Sequence, residues 1–131
     1  ALLFESFAYK NGVPVDADIV FDARCLPNPH WKPTLRAMTG LDGPVQEFLE
    51  NQPDFCTMFD DIVAYLSYWL PKFEANNRSY MTIAIGCTGG QHRSVYLSTK
   101  LHEFFASKWN NVQIRHRELP KKALMQENFQ F

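Results

Sequence analysis

The sequence contains few cysteines, and none of them forms a CxxC pair. Only Cys25, Cys56 and Cys87 occur among the 131 residues. An odd, scattered set of thiols argues against a disulfide scaffold or a structural zinc site and favours the reducing cytoplasm. No apolar run approaches the roughly 20 residues that a membrane helix requires, so we expect no membrane partner. Internal repeats, low-complexity tracts and Gly/Ser linkers are also absent, which predicts a single domain over residues 1–131.

What the sequence does contain is typical of a folded globular domain. Hydrophobic residues make up 46% and aromatic residues 15% of the chain, well above the content of a disordered segment. The chain begins at Ala1, already in strand-like sequence, and we expect it to be a fragment of a longer protein. Residues 1–70 carry four Lys/Arg against ten Asp/Glu, whereas residues 71–131 carry nine against four. This asymmetry is either ordinary surface variation or a sign that the positive half meets an anion.

The pattern of apolar residues predicts strands that alternate with helices. An apolar run at 80–86 is typical of a central parallel strand covered by helices on both sides, and 112–117 alternates as a half-buried strand does. The predicted strands are 2–9, 19–23, 80–86 and 112–117, and the predicted helices are 45–50, 55–73 and 95–109. This order predicts an α/β fold with a small, mostly parallel sheet flanked by helices.

The longest predicted helix carries one apolar stripe, which we assign to the core. Its members recur at steps of four, three, four, three and four residues, which matches the helical period. They are Phe55, Phe59, Ile62, Leu66, Trp69 and Phe73. We expect Pro71 to kink or end this helix, because proline lacks the amide hydrogen that a helix uses.

The segment IGCTGGQHRSVYL at 85–97 predicts a phosphate cradle. The buried strand ends at Gly86, a turn holds Gly89 and Gly90, and a helix begins near 91–94. The first amides of a helix lack internal partners and lie at the positive end of its dipole, so they bind anions. Four side chains add further donors: Thr88, His92, Arg93 and Ser94. The alternative is a plain Gly-Gly turn with solvated His and Arg side chains.

The second strand is expected to bring polar side chains to the same edge of the sheet. Carboxyl ends of parallel strands share an edge at which ligands collect, so Asp22 and Arg24 should lie near Cys87. Asp22 is suited to bind a sugar hydroxyl or amine, and His30, in the proline-stiffened loop 27–44, is suited to close over a phosphate. The alternatives are a salt bridge from Asp22 to a neighbouring arginine, and simple loop packing for His30.

The same loop raises a catalytic alternative. Cys87 to Ser94 fits the spacing C-x5-R-S of tyrosine phosphatases, in which a thiolate attacks phosphorus. Three observations argue against it: Gly86 stands where those enzymes commonly have His, no acid-bearing loop is evident, and so short a match occurs by chance. A GxxxxGK[ST] motif is also absent. We therefore predict a non-enzymatic binding domain with no catalytic residue, metal or cofactor of its own. The alternative is a phosphatase-like enzyme that uses Cys87 and Arg93.

Four ordered blocks of sequence carry a family resemblance over about residues 2–119. They are FESFAYKNGVPVDADIVFDARCLPNPHW, MTGLDGPV, NNRSYMTIAIGCTGGQHRSVYL and NVQIRHREL. Together they closely resemble the carboxy-terminal domain of the RapZ/YvcJ family of bacterial RNase adaptor proteins. The resemblance implies a fold similar to a phosphofructokinase subdomain, a cytoplasmic homo-oligomer, and a preceding P-loop domain that would bind ATP or GTP.

The resemblance also implies a function and two sets of residues. Family members bind small regulatory RNA, present it to RNase E, and sense glucosamine-6-phosphate to control amino-sugar synthesis. The implied metabolite site comprises Asp22, Arg24, His30, Cys87, Thr88, Gly89, His92 and Arg93, and the cradle adds Gly90 and Ser94. The implied RNA surface comprises Lys10, Arg93, Lys108, Arg115, Arg117, Lys121 and Lys122. Because Arg93 belongs to both sets, we expect metabolite and RNA to compete. Gln91 stands where relatives often have Lys, which removes one positive charge.

Overall fold

The computed structural model describes residues 1–120 and shows a four-stranded sheet whose strands are all parallel. The strands are β1 (Leu2–Ala8), β2 (Ile19–Asp22), β3 (Met81–Cys87) and β4 (Val112–His116). Their order across the sheet is β2-β3-β1-β4. The predicted α/β fold with a parallel sheet is confirmed. Lys121 and Lys122 of the predicted RNA surface lie outside the described residues.

Three α-helices occur within residues 1–120: α1 (Gly43–Glu50), α2 (Pro53–Ala75) and α3 (Arg93–Ala106). Two short 3-10 helices, Tyr9–Asn11 and Pro29–Trp31, lie in the connections that follow β1 and β2. Because all strands are parallel, these connections and the turn after β3 leave the sheet at the same edge. The edge formed by the carboxyl ends is therefore where the functional loops meet.

The three helices within residues 1–120 pack against one face of the sheet, so the expectation that helices cover both sides of β3 is wrong for these residues. Phe4 of β1 and Ile83 of β3 are paired residues on this face, and both belong to a single buried cluster that includes side chains of all three helices. The ring of Phe4 stacks on Phe105 of α3 with a centroid separation of 5.7 Å. Every residue of β3 is buried, as the apolar run at 80–86 predicts. Full burial of a large apolar side chain such as Phe4 or Ile83 contributes about 1.5–3 kcal/mol, so this layer fixes the strand ends firmly.

Helix α2 continues through Pro71 to Ala75, so the expectation that it ends at this proline is wrong. Proline removes the hydrogen bond to the carbonyl four residues earlier. That carbonyl belongs to Ser67, an exposed residue where water can replace the lost bond. The buried side chains of α2 are Phe55, Ile62, Leu66 and Leu70. Leu70 thus takes the core position that the stripe assigned to Trp69, which is 42% exposed.

None of the helices in the described part of the chain combines the length and apolar character needed to cross a bilayer. Within the same residues, no three His, Cys, Asp or Glu side chains come together as the ligands of a metal ion would. The three cysteines are free thiols, and the buried one is Cys87 at the end of β3.

Candidate functional site

A cavity of about 320 Å³, which we call the site cavity, opens where β1 and β3 end. Ala8, the last residue of β1, pairs with Cys87, the last residue of β3. The loops that follow these strands therefore form its walls, together with the loop after β2. The lining residues are Lys10, Asn28, His30, Arg36, Cys87, Thr88, Gly89, Gln91, His92 and Arg93.

Six of the ten residues predicted to bind a ligand line this cavity. They are His30, Cys87, Thr88, Gly89, His92 and Arg93. Lys10, which was predicted only for RNA, lines it too. The sequence reasoning missed Asn28 and Arg36 as site residues. Both residues lie in the proline-rich loop 27–44. This loop could have indicated them, since a long irregular loop in a compact domain is often functional.

The turn between β3 and α3 brings backbone amides to the cavity. Gly90 lies in this turn but does not line the cavity. Its φ of +68° falls in the left-handed region that favours glycine. Helix α3 begins at Arg93, and the side chain of its N-cap residue, His92, forms no capping hydrogen bond. One early amide, that of Ser94, donates to Sγ of Cys87 at 3.4 Å. The uncapped end offers the positive pole of the helix dipole to a ligand.

The loop 27–44 can fold against the start of α3 because Gly40 has no side chain. Its amide donates to the carbonyl of Gln91 at 2.8 Å. An ideal Cβ on Gly40 would lie 2.5 Å from the carbonyl oxygen of His92 and 2.6 Å from the amide nitrogen of Tyr96. Backbone atoms of a helix cannot move aside cheaply, so glycine permits this close approach. The contact makes the loop one wall of the site cavity.

Arg93 is a buried cation that forms no ion pair with the described residues. It is 4% exposed, and its Nη1 donates to the carbonyl oxygens of Arg24 at 2.8 Å and Leu26 at 2.9 Å. These bonds tie the loop after β2 to the start of α3. Its Nε has no hydrogen-bond partner within residues 1–120, and a buried donor left unpaired costs about 1–3 kcal/mol. An anion in the cavity is a partner of the right charge.

His92 supplies a second buried polar atom, its Nε2, that has no partner among these residues. The centroid of its ring lies 6.4 Å from that of His30. Burial lowers the pKa of His92 below its ordinary value and His30 acts in the same direction, while backbone groups at Leu35, Arg36 and Met38 oppose the shift. Because an anion favours the imidazolium form, a bound anion would raise this pKa.

The site cavity carries positive charge and no lining carboxylate. Lys10 and Arg36 are exposed at its rim, and Nε of Arg36 donates to the carbonyl of His30 at 2.7 Å. None of the ten lining residues is Asp or Glu. Charges of one sign around a partly enclosed space concentrate the electric field there. The arrangement suits an anionic group such as phosphate.

Asp22 and Arg24 lie outside the lining of this cavity. Nη2 of Arg24 contacts Oδ2 of Asp22 at 2.6 Å, and the Arg24 guanidinium lies 3.7 Å from the centroid of the Tyr9 ring. Hydrogen bonds from Arg24 lower the pKa of Asp22 below its ordinary value. This is the salt bridge that the sequence left open as an alternative. Asp22 pairs with Gly86, so it lies at the predicted edge of the sheet, next to Cys87. Its side chain nevertheless lines a different cavity, beside α2.

Cys87 is more buried than a reactive cysteine usually is. The residue is 2% exposed, and its thiol donates to Oγ of Ser94, the serine of the C-x5-R-S match, at 3.1 Å. Ser94 is itself fully buried and does not line the cavity. At Gly86, a Cβ would collide with the ring of Phe7 and would lie 2.6 Å from Cε2 of Tyr9. The fold therefore leaves no room for the histidine that commonly precedes a phosphatase cysteine.

The basic residues predicted to bind RNA do not form one continuous group. Arg117 follows β4 and, like Lys10, belongs to the edge that holds the site cavity. Arg115 forms an ion pair of 2.8 Å with the buried Glu5, and this pair offsets part of the positive charge of Arg115. Lys108 lines a second cavity of about 740 Å³ at the opposite edge of the sheet. The described residues thus place Lys108 apart from the other predicted RNA contacts.

Comparisons with known proteins agree with the resemblance seen in the sequence. A family profile described as "RapZ C-terminal domain" matches residues 1–120. A "nucleotide-binding protein" of Cellvibrio japonicus is 64% identical over 121 residues, which cover 92% of this chain and 41% of that protein. Proteins of the same name from Pseudomonas fluorescens and Azotobacter vinelandii are 62% and 60% identical over 119 residues, which cover 91% of this chain and 42% of theirs. The chain therefore spans about two fifths of the length of these relatives.

Proposed function

Because this chain belongs to the family of RapZ C-terminal domains, we propose that it is the sensory and RNA-binding module of an RNase adaptor. The site cavity binds the phosphate of glucosamine-6-phosphate. Small regulatory RNA binds the basic surface around the rim and is presented from there to RNase E. The domain acts in the cytoplasm, as part of a homo-oligomer, in the control of amino-sugar synthesis.

The observation that carries the anion site is that Arg93 and His92, which both line one cavity, each have a buried polar atom, Nε and Nε2, without a partner in the described part of the chain. Buried polar groups in folded proteins are nearly always hydrogen-bonded, and a bound ligand is a suitable partner for these two. Its charge should be negative, because Lys10 and Arg36 share the cavity and none of the lining residues is a carboxylate. The uncapped start of α3 favours the same kind of group.

The size of the cavity supports a small phosphorylated metabolite. Its volume of about 320 Å³ lies at the small end of the range for ligand pockets, roughly 300–1,000 Å³. The amino group of the sugar needs an acceptor, and Asp22 is the carboxylate proposed for it. The pair of Asp22 and Arg24 is solvent-exposed, and exposed pairs contribute only about 0–1 kcal/mol. Arg24 can therefore turn away and release Asp22 to the amine at little cost.

Metabolite and RNA compete in this proposal through shared positive charge. The guanidinium of Arg93 is too buried to reach an RNA backbone, so the exposed Lys10 and Arg36 are the shared contacts, and Arg117 extends the surface. RNA binding of this kind depends strongly on salt, because each neutralised phosphate releases counterions. We expect saturating glucosamine-6-phosphate to displace small regulatory RNA in a filter-binding assay. Unchanged RNA affinity would contradict the competition.

We assign binding rather than catalysis to this domain. The support is the 2% exposure of Cys87 and the absence of space for a side chain at Gly86. The name "nucleotide-binding protein" belongs to relatives more than twice as long as this chain. We assign their ATP or GTP site to a P-loop domain that lies outside the region matched by this chain.

Isothermal titration calorimetry with four probes tests the proposal: glucosamine-6-phosphate, glucose-6-phosphate, glucosamine and inorganic phosphate. We expect the three phosphate-bearing probes to bind and glucosamine not to bind. Lys10→Ala should weaken phosphate binding at least about tenfold, since a hydrogen bond to a charged group contributes roughly 1.5–3 kcal/mol. The matched control Lys72→Ala, on α2, should leave the affinity unchanged. Glucosamine binding as tightly as its phosphate, or equal losses in the two lysine variants, would contradict the site.

A further inference from the structure

The segment that follows β4 crosses the carboxyl end of β1 and packs against the turn before α3. Glu118, in this segment, is half-buried and lies outside the lining of the site cavity. An ideal Cβ at Gly90 would lie 2.6 Å from Cγ of Glu118 and 2.9 Å from Cβ of Ala8. Glu118 therefore fills the space between the end of β1 and the turn.

Glu118 is bonded to two of the three loops that form walls of the cavity, those after β1 and β3. Its Oε2 accepts from the amide of Ala8 at 3.3 Å, and its two carboxylate oxygens accept from Nδ2 of Asn11 at 3.1 Å and 3.0 Å. On the other side, its backbone carbonyl accepts from Nε2 of Gln91 at 2.8 Å. Asn11 directly follows Lys10, and both Lys10 and Gln91 line the cavity. One residue thus joins two walls that are far apart in sequence.

We propose that Glu118 is a positioning residue for the site cavity, which holds the Lys10 turn against the turn before α3 and couples anion binding to the docking of residues 117–119. This inference rests on the proposed binding of phosphate in the cavity. Hydrogen bonds to an ionised carboxylate are stronger than bonds between neutral groups. The side chain of Lys10 is exposed, so its turn is held through its neighbours. The bonds of Glu118 to Ala8 and Asn11 add to the internal bond of the turn, from the amide of Gly12 to the carbonyl of Tyr9 at 3.0 Å.

The negative charge of Glu118 and its hydrogen bonds should affect anion binding in opposite directions. Its carboxylate is negative and lies beside a cavity that carries Lys10, Arg36 and Arg93, so removal of the charge alone should strengthen anion binding. Loss of its hydrogen bonds should weaken anion binding, because the Lys10 turn must then be ordered at the moment of binding. If a variant without the carboxylate binds the anion more weakly, the loss must come from the missing hydrogen bonds, because loss of the negative charge alone would strengthen binding.

The coupling must also act in the opposite direction. If the docked segment favours anion binding, a bound anion favours docking of the segment by the same factor. Amide hydrogen exchange at residues 117–119 should therefore slow when phosphate is added, whereas exchange in the turn 107–111, at the opposite edge of the sheet, should not change. Equal slowing in both segments would report only a general stabilisation of the fold.

Calorimetry with inorganic phosphate on the full chain, with four variants, tests the inference. Glu118→Ala should bind phosphate at least about fivefold more weakly. Glu118→Gln keeps an acceptor oxygen and should bind as well as the unaltered chain or better. The control Glu103→Ala removes an exposed charge from α3 and should not change the affinity. Asn11→Ala removes the same hydrogen bonds from the β1 side and should weaken phosphate binding as Glu118→Ala does. This second variant decides the test if Glu118→Ala does not fold.

Three outcomes would overturn the inference. If Asn11→Ala, and Glu118→Ala where it folds, bind phosphate as well as or better than the unaltered chain, the positioning role is wrong and the anion site stands. If saturating phosphate does not slow amide exchange at residues 117–119, the coupling is wrong. If the unaltered chain does not bind phosphate, the proposed function itself fails, and the inference fails with it.

Discussion

The backbone amide of Gly40 donates a 2.8 Å hydrogen bond to the carbonyl of Gln91, and this bond joins the loop 27–44 to the start of α3. The two residues lie far apart in sequence, yet they set one wall of the site cavity. His30 and Arg36 reach the cavity from this loop. The position of these two basic side chains therefore depends on a residue that has no side chain.

The first prediction concerns this contact. Gly40→Ala should lower the free energy of unfolding by about 1–3 kcal/mol, the usual cost of overpacking, and should abolish phosphate binding. An added Cβ would meet backbone atoms of α3, which cannot yield. Gly43→Ala is the matched control, because a Cβ there meets nothing within 4 Å. Urea unfolding and phosphate calorimetry measure both effects, and equal stability of the two variants would show that the close approach does not need glycine.

The second prediction concerns sugar selectivity. Asp22→Asn should weaken binding of glucosamine-6-phosphate relative to glucose-6-phosphate by about tenfold, the effect of one hydrogen bond to a charged group. Release of Arg24 adds positive charge for both ligands alike, so the ratio of the two dissociation constants is the informative quantity. Calorimetry supplies this ratio. A ratio that does not change on substitution would remove Asp22 from recognition of the amine.

The third prediction concerns the pH dependence of anion binding. Burial lowers the pKa of His92 in the free protein, and a bound anion should raise it, so binding takes up a proton. Affinity should therefore rise as the pH falls from about 8 to about 6. Sulfate is the suitable probe, because it stays dianionic over this range while a phosphate monoester titrates near pH 6. His92→Gln should flatten the profile, and an identical profile in the variant would exclude His92 as the source.

The fourth prediction concerns stability in acid. Nδ1 of the buried His116 lies 2.8 Å from Oγ of Ser6. Burial, with a smaller effect of His102, lowers the pKa of His116 from 6.5 to about 4. The folded state thus disfavours the proton, and the stability linked to this group is complete above about pH 6.5 and is lost as the pH falls toward 4. The total is about 3 kcal/mol.

Urea unfolding measured across this pH range checks the fourth prediction. The unaltered chain should lose stability steadily as the pH falls. His116→Gln keeps a polar group beside Ser6 but does not titrate, so its stability should depend less on pH over the same range. Parallel stability curves for the two proteins would show that His116 does not contribute to acid sensitivity.

The fold was predictable because its signals are local. An apolar run marks the buried β3, and alternation marks β4, which is half-buried as predicted. The choice between adjacent apolar residues was not predictable in this way. Trp69 turns outward, with its ring centroid 5.0 Å from that of Tyr68, while Leu70 enters the core. Sequence periodicity cannot separate two neighbours that are both apolar.

The candidate site was predictable where its residues are close in sequence. Residues 87–93 run from the end of β3 through one turn to the start of α3. The sequence therefore indicated both which side chains could bind an anion and that they lie close together. Arg36 could not be found in this way, because its place depends on the contact of Gly40 with α3. Asp22 was expected at the correct edge of the sheet, but strand order does not set the direction of a side chain. Its direction is set by Arg24, two residues along the chain.

The central claim is that the site cavity captures a phosphate group, and a nuclear magnetic resonance titration tests it most directly. Amide chemical shifts of the chain are followed as glucosamine-6-phosphate is added. We expect saturable shifts concentrated at residues 88–94 and at Lys10. Absence of shifts, or shifts concentrated around Lys108 and Trp109 at the opposite edge of the sheet, would contradict the claim.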